Sequence, residues 1–263
     1  MQAIYKSDRE FLDSISTYIL KLGPDNLPQG FDGPLDKRVA ASPHVVLIRL
    51  RMQQVARLLA DTLVPVLSAN TDAPLNLINI AGGPALDSIN TVIFLSRVQP
   101  GLLKRHVTIH VFDAEEDGPV FGANALTALK RPGAPLEGID VKFEYHSYDW
   151  NNPAPLTALV SELRSRGEIV AASSEGGLFE YGSDEAIVEN LSALAARQAG
   201  VQFVTGSVTS ASDLRKRMIA ETKFKLKPRG IEGFEPLAIR SGYKILKSEP
   251  NVMSDQVLLG LRP

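Results

Sequence analysis

The chain has 263 residues, with 28 basic and 30 acidic side chains for a net charge of −2, 44% hydrophobic residues and no cysteine. That apolar content excludes disorder as the main state. The missing thiols exclude a disulfide scaffold and thiolate zinc sites, leaving His44, His106, His110 and His146 as the only imidazoles, and no metal ligand set stands out. Near-zero net charge gives no broad attraction for nucleic acid or an anionic surface. No uncharged apolar stretch approaches the roughly 18 residues of a membrane span, and the N-terminus lacks a basic segment followed by an apolar run. A cytoplasmic protein acting on a small molecule, without nucleic-acid or membrane partners, is the expectation.

The first 70 residues have a helical texture. Ser7 and Glu10 have the spacing of a capping box, and Phe11, Ile15, Tyr18, Ile19 and Leu22 recur at three- and four-residue steps until Gly23-Pro24. The Pro-, Gly- and Asp-rich residues 23–38 read as loop. A second helix is expected over residues 42–67, with Val55, Leu58, Leu59, Leu63 and Val66 on one face. From residue 71 onward, compact apolar strands alternate with helices. Strands are expected at 75–81, 107–113, 141–146, 168–173 and 201–206. Helices between them carry Leu86, Ile89 and Ile93; Leu156, Leu159, Val160 and Leu163; and Ile187, Leu191 and Leu194. Asn152-Pro153 supplies a polar cap and an N-terminal proline for one of these helices. Repeated βα units predict a parallel sheet covered on both faces. Residues 243–248 and 256–261 also read as strands, separated by EPNVMSD, which is too short for a helical crossover; they predict a terminal antiparallel hairpin.

The first strand leads through Ala81-Gly82-Gly83-Pro84 into a helix. Small residues there let a ligand approach the backbone, and the first helical turn offers unpaired amides. A dinucleotide fingerprint needs glycine at its first, third and sixth positions. Counting from Ala81 the sixth is Leu86, and counting from Gly82 the third is Pro84, so neither register fits. The segment Asn79-Ile80-Ala81-Gly82-Gly83-Pro84-Ala85 instead resembles motif I of the class I S-adenosylmethionine-dependent methyltransferases, with Asn79 in place of the usual acid and Ala81 and Ala85 in place of two glycines. Residues 71–263 follow the same resemblance. It implies a doubly wound Rossmann-like α/β fold with a seven-stranded, mostly parallel sheet and a reversed last strand, and S-adenosylmethionine as cofactor.

The resemblance also assigns residues. Asp113, 30 residues after Gly83 and followed by Ala114, stands where the family carries the acid that accepts both ribose hydroxyls. Asp149-Trp150 stands where an acid and an apolar side chain hold adenine. Ser173 and the following Ser174-Glu175-Gly176-Gly177 align with the stretch lining the methyl-donor and acceptor site. Asp113 is also an ordinary helix-cap choice, with ribose binding the favoured reading, and Trp150 is equally a core or loop anchor. Glu115, Glu116 and Asp117 suit a helix start. Glu175 is the first candidate for a general base and His44 the second. Lys223, Lys225, Lys227 and Arg229 read as a solvated face or a basic rim.

The function expected is methyl transfer to an oxygen, nitrogen or carbon atom of a small molecule. A non-catalytic cofactor-binding protein of the same fold and an NAD(P)-dependent oxidoreductase are the alternatives. Residues 1–70 are expected to stand apart from the sheet core, as a helical cap over the strand ends or a homodimerisation segment.

Overall fold

The computed structural model describes residues 19–195, 200–221 and 224–262. Most of the first predicted helix, including Ser7 and Glu10, lies outside these residues; residues 19–22 are helical and Gly23 follows with φ +85°. Two helices come next, α1 (Pro34–Ala40) and the 27-residue α2 (Pro43–Ala69). Then β1 (Leu75–Ile80), α3 (Leu86–Val98), β2 (Val107–Asp113), α4 (Asp117–Leu129), β3 (Val141–Ser147), α5 (Ala154–Ser165) and β4 (Ile169–Ser174) alternate. After β4 come the short α6 (Leu178–Tyr181), α7 (Asp184–Ala195), β5 (Phe203–Thr209), α8 (Asp213–Ala220) and α9 (Gly230–Arg240), and the chain closes with β6 (Tyr243–Pro250) and β7 (Ser254–Leu261).

The seven strands form one sheet in the order β3-β2-β1-β4-β5-β7-β6, parallel from β3 through β5. β7 runs antiparallel to both β5 and β6, joined to β6 by residues 251–253, too short a connection for a crossover. The predicted strand bounds hold within one to three residues. Residues 23–38 are not all loop: Pro34 opens α1 at a position where a missing amide costs nothing, and Asp36 complements its dipole.

Alternation along the strands builds two core layers. Ile78, Ile80, Phe112, Val170 and Ala172 face one side, under Leu156 and Val160 of α5, Ile187 and Leu191 of α7, and Phe234 of α9. Leu75, Leu77, Ile109, Val111 and Ala171 face the other, under Ile89, Val92 and Leu95 of α3 and Met52, Leu59, Leu63 and Leu67 of α2. That second list corrects the expectation that residues 1–70 stand apart from the sheet. α2 packs along α3 and against β5 and β7, where each buried leucine contributes about 1.5–3 kcal/mol. The texture change near residue 70 marks the end of a core helix. No helix among the described residues is long and apolar enough to cross a membrane.

Candidate functional site

The carboxyl ends of β1, β2, β3, β4 and β5 carry the loops that can hold a ligand, and the strand order reverses between β1 and β4, where open α/β sheets bind. The turn after β1 is tight. Ala81 and Ala85 have φ of +55° and +49°, a left-handed conformation that costs an L-residue about 1–2 kcal/mol. It persists because both ends are tied down: the Ala81 amide donates to the Phe112 carbonyl at 2.8 Å, and the Ala85 amide to the Gly82 carbonyl at 3.2 Å.

Beneath this turn, Asn79 is fully buried. Its Nδ2 donates to Asp87 Oδ1 (2.8 Å), Ser173 Oγ (3.2 Å) and Ser88 Oγ (3.3 Å), while its Oδ1 and Asp87 Oδ2 find no partner. Burial, then the nearby Glu175, pushes the Asp87 carboxyl above its ordinary value. Asp87, eight residues after Asn79, places a buried carboxyl beside position 79. Gly82 is required here, because a Cβ would lie 2.2 Å from Asn79 Oδ1.

Asp113 closes β2 beside the turn. Its Oδ2 accepts from the Gly83 amide (2.9 Å) and its Oδ1 from the Glu115 amide (3.0 Å). Burial raises its pKa against these donors. The Ala114 amide also bonds the carboxylate; with about four lone-pair sites, acceptor capacity remains. Ala114 follows on the surface. The Tyr148 amide donates to the Asp113 carbonyl, which sets Asp149 and Trp150 next along the same edge. Asp149 is exposed and accepts from the amide and side chain of Asn151; Trp150 is half-buried against the core, and its carbonyl accepts from Asn190.

After β4 the chain meets a buried ion network. Glu175 Oε1 accepts from Arg51 Nε at 2.6 Å and its Oε2 from Lys21 Nζ at 2.5 Å; Arg51 Nη1 reaches both oxygens of Glu180 at 2.8 and 3.0 Å. Burial opposes ionisation of Glu175, but Arg51 and Lys21 outweigh it and hold the carboxyl below its ordinary value. Burial pushes Glu180 up, with Arg51 opposing. Gly177 lets the loop after β4 rest on the turn after β1: a Cβ there would lie 2.1 Å from the Ala81 carbonyl oxygen.

Beside the network is a cavity of about 80 Å³. His44 lines it from the start of α2 and is solvent-accessible, yet surrounding protein atoms, then the charges of Arg215 and Arg51, lower its pKa.

The fold thus gathers Asn79, Ala81, Gly82, Gly83, Pro84, Asp113 and Ser173 at the ends of β1, β2 and β4, puts Asp149 and Trp150 beside them, buries Glu175 against Lys21 and Arg51, and sets His44 on the cavity. Sequence reading missed Lys21, Arg51, Asp87, Glu180 and Arg215. Arg51 left one trace, a charge inside the apolar run Ile48, Met52, Val55. The basic run does not act as a unit. Lys225 and Lys227 are exposed and Lys223 lies outside the described residues, while Arg229 turns inward to Asp184 and the Phe179 and Gly182 carbonyls. Two of the histidines cluster on the neighbouring strands: His110 and His146 lie with Glu144 on β2 and β3, their donor atoms within 4.8 Å of one another, although no metal set was expected.

No family model matches the chain, and no curated protein matches it in sequence. Solved structures do resemble it. A protein of Bordetella parapertussis, described as a possible exported protein, superposes over 100% of this chain and 86% of its own, with a TM-score of 0.62 and 16% identity. Magnesium protoporphyrin IX methyltransferase from Synechocystis PCC 6803, solved with bound S-adenosylhomocysteine, matches 85% of this chain and 89% of its own, with a TM-score of 0.55 and 13% identity. The architecture, including the reversed β7, is the Rossmann-like fold of the class I S-adenosylmethionine-dependent methyltransferases.

Proposed function

We propose that this protein is an S-adenosylmethionine-dependent methyltransferase acting on an oxygen, nitrogen or carbon nucleophile of a small molecule. The observation that carries the reading is Asp113: a carboxylate at the end of β2 that fixes the glycine turn through the Gly83 amide and keeps acceptor capacity for a vicinal diol. The residues present fit the cofactor. Asp113 and Ala114 would hold its ribose, residues 81–84 its methionine end, and Asp149 with Trp150 its adenine. Asn79, with its unpartnered buried Oδ1, and Ser173 would support the turn from below. When bound, S-adenosylmethionine supplies an electrophilic methyl group on a sulfonium.

The chain's own work is to hold donor and acceptor in line and to exclude water. Glu175, the first candidate base, has both oxygens engaged by cations and a lowered pKa. We assign it the role of anchoring Lys21 and Arg51 over the strand ends, which makes the N-terminal helices a cap. His44, unprotonated at neutral pH and set at the cavity mouth, is the better placed proton acceptor for an acceptor that needs one.

Calorimetric titration with S-adenosylhomocysteine, alongside NAD and NADP, tests the reading. Binding of the first alone is expected at micromolar concentration. Asp113→Ala should weaken it at least tenfold, since each charge-assisted hydrogen bond contributes about 1.5–3 kcal/mol; unchanged affinity removes the ribose assignment. Binding of a nicotinamide cofactor instead would overturn the function.

A further inference from the structure

The cavity beside the ion network lies between the first turns of α2, the loop after β4 and the first turn of α8. Leu20, Leu47, Ile48, Phe224, Leu226 and Met253 give it apolar walls. Two arginines reach it, and their situations differ. Arg51 is held by two carboxylates, its Nε on Glu175 and its Nη1 on Glu180. Arg215 is 5% exposed, its Nη1 meets only the weakly accepting sulfur of Met253 at 3.8 Å, and its Nε has no hydrogen-bond partner.

Charge accounting agrees. Glu175 and Glu180 are bound directly by Lys21 and Arg51, whereas Arg215 feels the charge of Glu180 without a hydrogen bond to any carboxylate among the described residues. An arginine stays protonated at any ordinary pH. A buried cation without a matching anion is costly, and a ligand that brings the anion offsets that cost.

We propose that this cavity binds a carboxylate on a small apolar body, with Arg215 as its partner, and that this is how the methyl acceptor is selected. Calling the ligand the acceptor rests on the methyltransferase reading; the anion site itself does not. One guanidinium without a hydrogen-bonded anion fits a monoanion. About 80 Å³ is roughly half the 150 Å³ cavity that admits benzene. The cavity therefore receives the carboxylate and its nearest carbons, and the rest of the molecule extends through the mouth beside His44. A neutral isostere would bring Arg215 a hydrogen-bond acceptor but no countercharge, so selection is for charge as well as shape.

The test is a calorimetric titration of the full-length protein with benzoate and with benzyl alcohol at constant ionic strength, each with and without S-adenosylhomocysteine. Benzoate is expected to bind at least tenfold more tightly. Arg215→Met should abolish the preference, and Arg215→Lys should keep part of it. Equal affinities in the unaltered protein, no benzoate binding, or a folded Arg215→Met variant with the preference intact would each overturn the proposal. The unaltered protein decides the matter even if a variant does not fold. A benzoate preference without any S-adenosylhomocysteine binding upholds the anion site and sinks the methyltransferase reading. Binding of S-adenosylhomocysteine without a benzoate preference sinks the anion site alone.

Discussion

Arg51 bridges Glu175 and Glu180 across the end of the sheet, so Arg51→Met tests whether buried charges hold α2 in place. The substitution removes the 2.6 Å bond to Glu175 and the forked bonds of 2.8 and 3.0 Å to Glu180. Glu175 keeps Lys21. Glu180, with 3% of its side chain exposed, loses its direct cationic partner. The least costly response is for Glu180 to take up a proton. Against an unperturbed carboxyl at 4.5, holding that proton at pH 7 costs at most about 3.4 kcal/mol, at roughly 1.36 kcal/mol per pH unit. Methionine retains much of the apolar stem packing, so the expected loss is about 3–4 kcal/mol, within the range for breaking one partner of a buried pair. The sign with pH follows from the direction of the shift. A carboxyl whose folded pKa is raised above its unfolded value favours the folded state as pH falls, so at pH 5 the proton costs only about 0.7 kcal/mol. Denaturant unfolding of both proteins at the two pH values should therefore show the gap narrowing by about 2–3 kcal/mol on acidification. A gap below about 1 kcal/mol, the size of an exposed pair, or one indifferent to pH, would refute the reasoning.

Two further outcomes follow from the geometry. Burial, then the charge of His146, lowers the His110 pKa from 6.5 to about 4. The unfolded chain then binds a proton that the folded one refuses, and stability should decline between pH 6.5 and pH 4 by up to about 3 kcal/mol. His110→Gln should flatten that slope in thermal melts, and identical slopes would contradict the assignment. Gly177→Ala drives a Cβ against the Ala81 carbonyl oxygen and should cost about 1–3 kcal/mol. Gly101→Ala, whose Cβ meets nothing within 4 Å, should stay within about 0.5 kcal/mol in the same denaturant assay. Equal effects at the two glycines would mean that the two loops do not touch.

The order of elements was legible in the sequence because it is written in local periodicity. The apolar runs of β1, β2, β4 and β5 are buried on both faces, the helices between the strands repeat every three to four residues, and the EPNVMSD connection is too short to cross over. Local chemistry also marked the turn 81–84 and Asp113, since glycines and a strand-end acid are readable one segment at a time. The tertiary structure alone decided what Arg51, Lys21, Asp87 and Arg215 do. Each meets its partner, or fails to meet one, through contacts such as Arg51 with Glu175, separated by 124 residues, and no periodicity encodes a pairing at that distance. The same reason explains α2. Its apolar stripe announced a buried face, but only the folded sheet determined that the buried face lies on β5, β7 and α3 while its first turns reach over the strand ends. A helix knows from its own sequence that it must be covered; the rest of the chain supplies the cover.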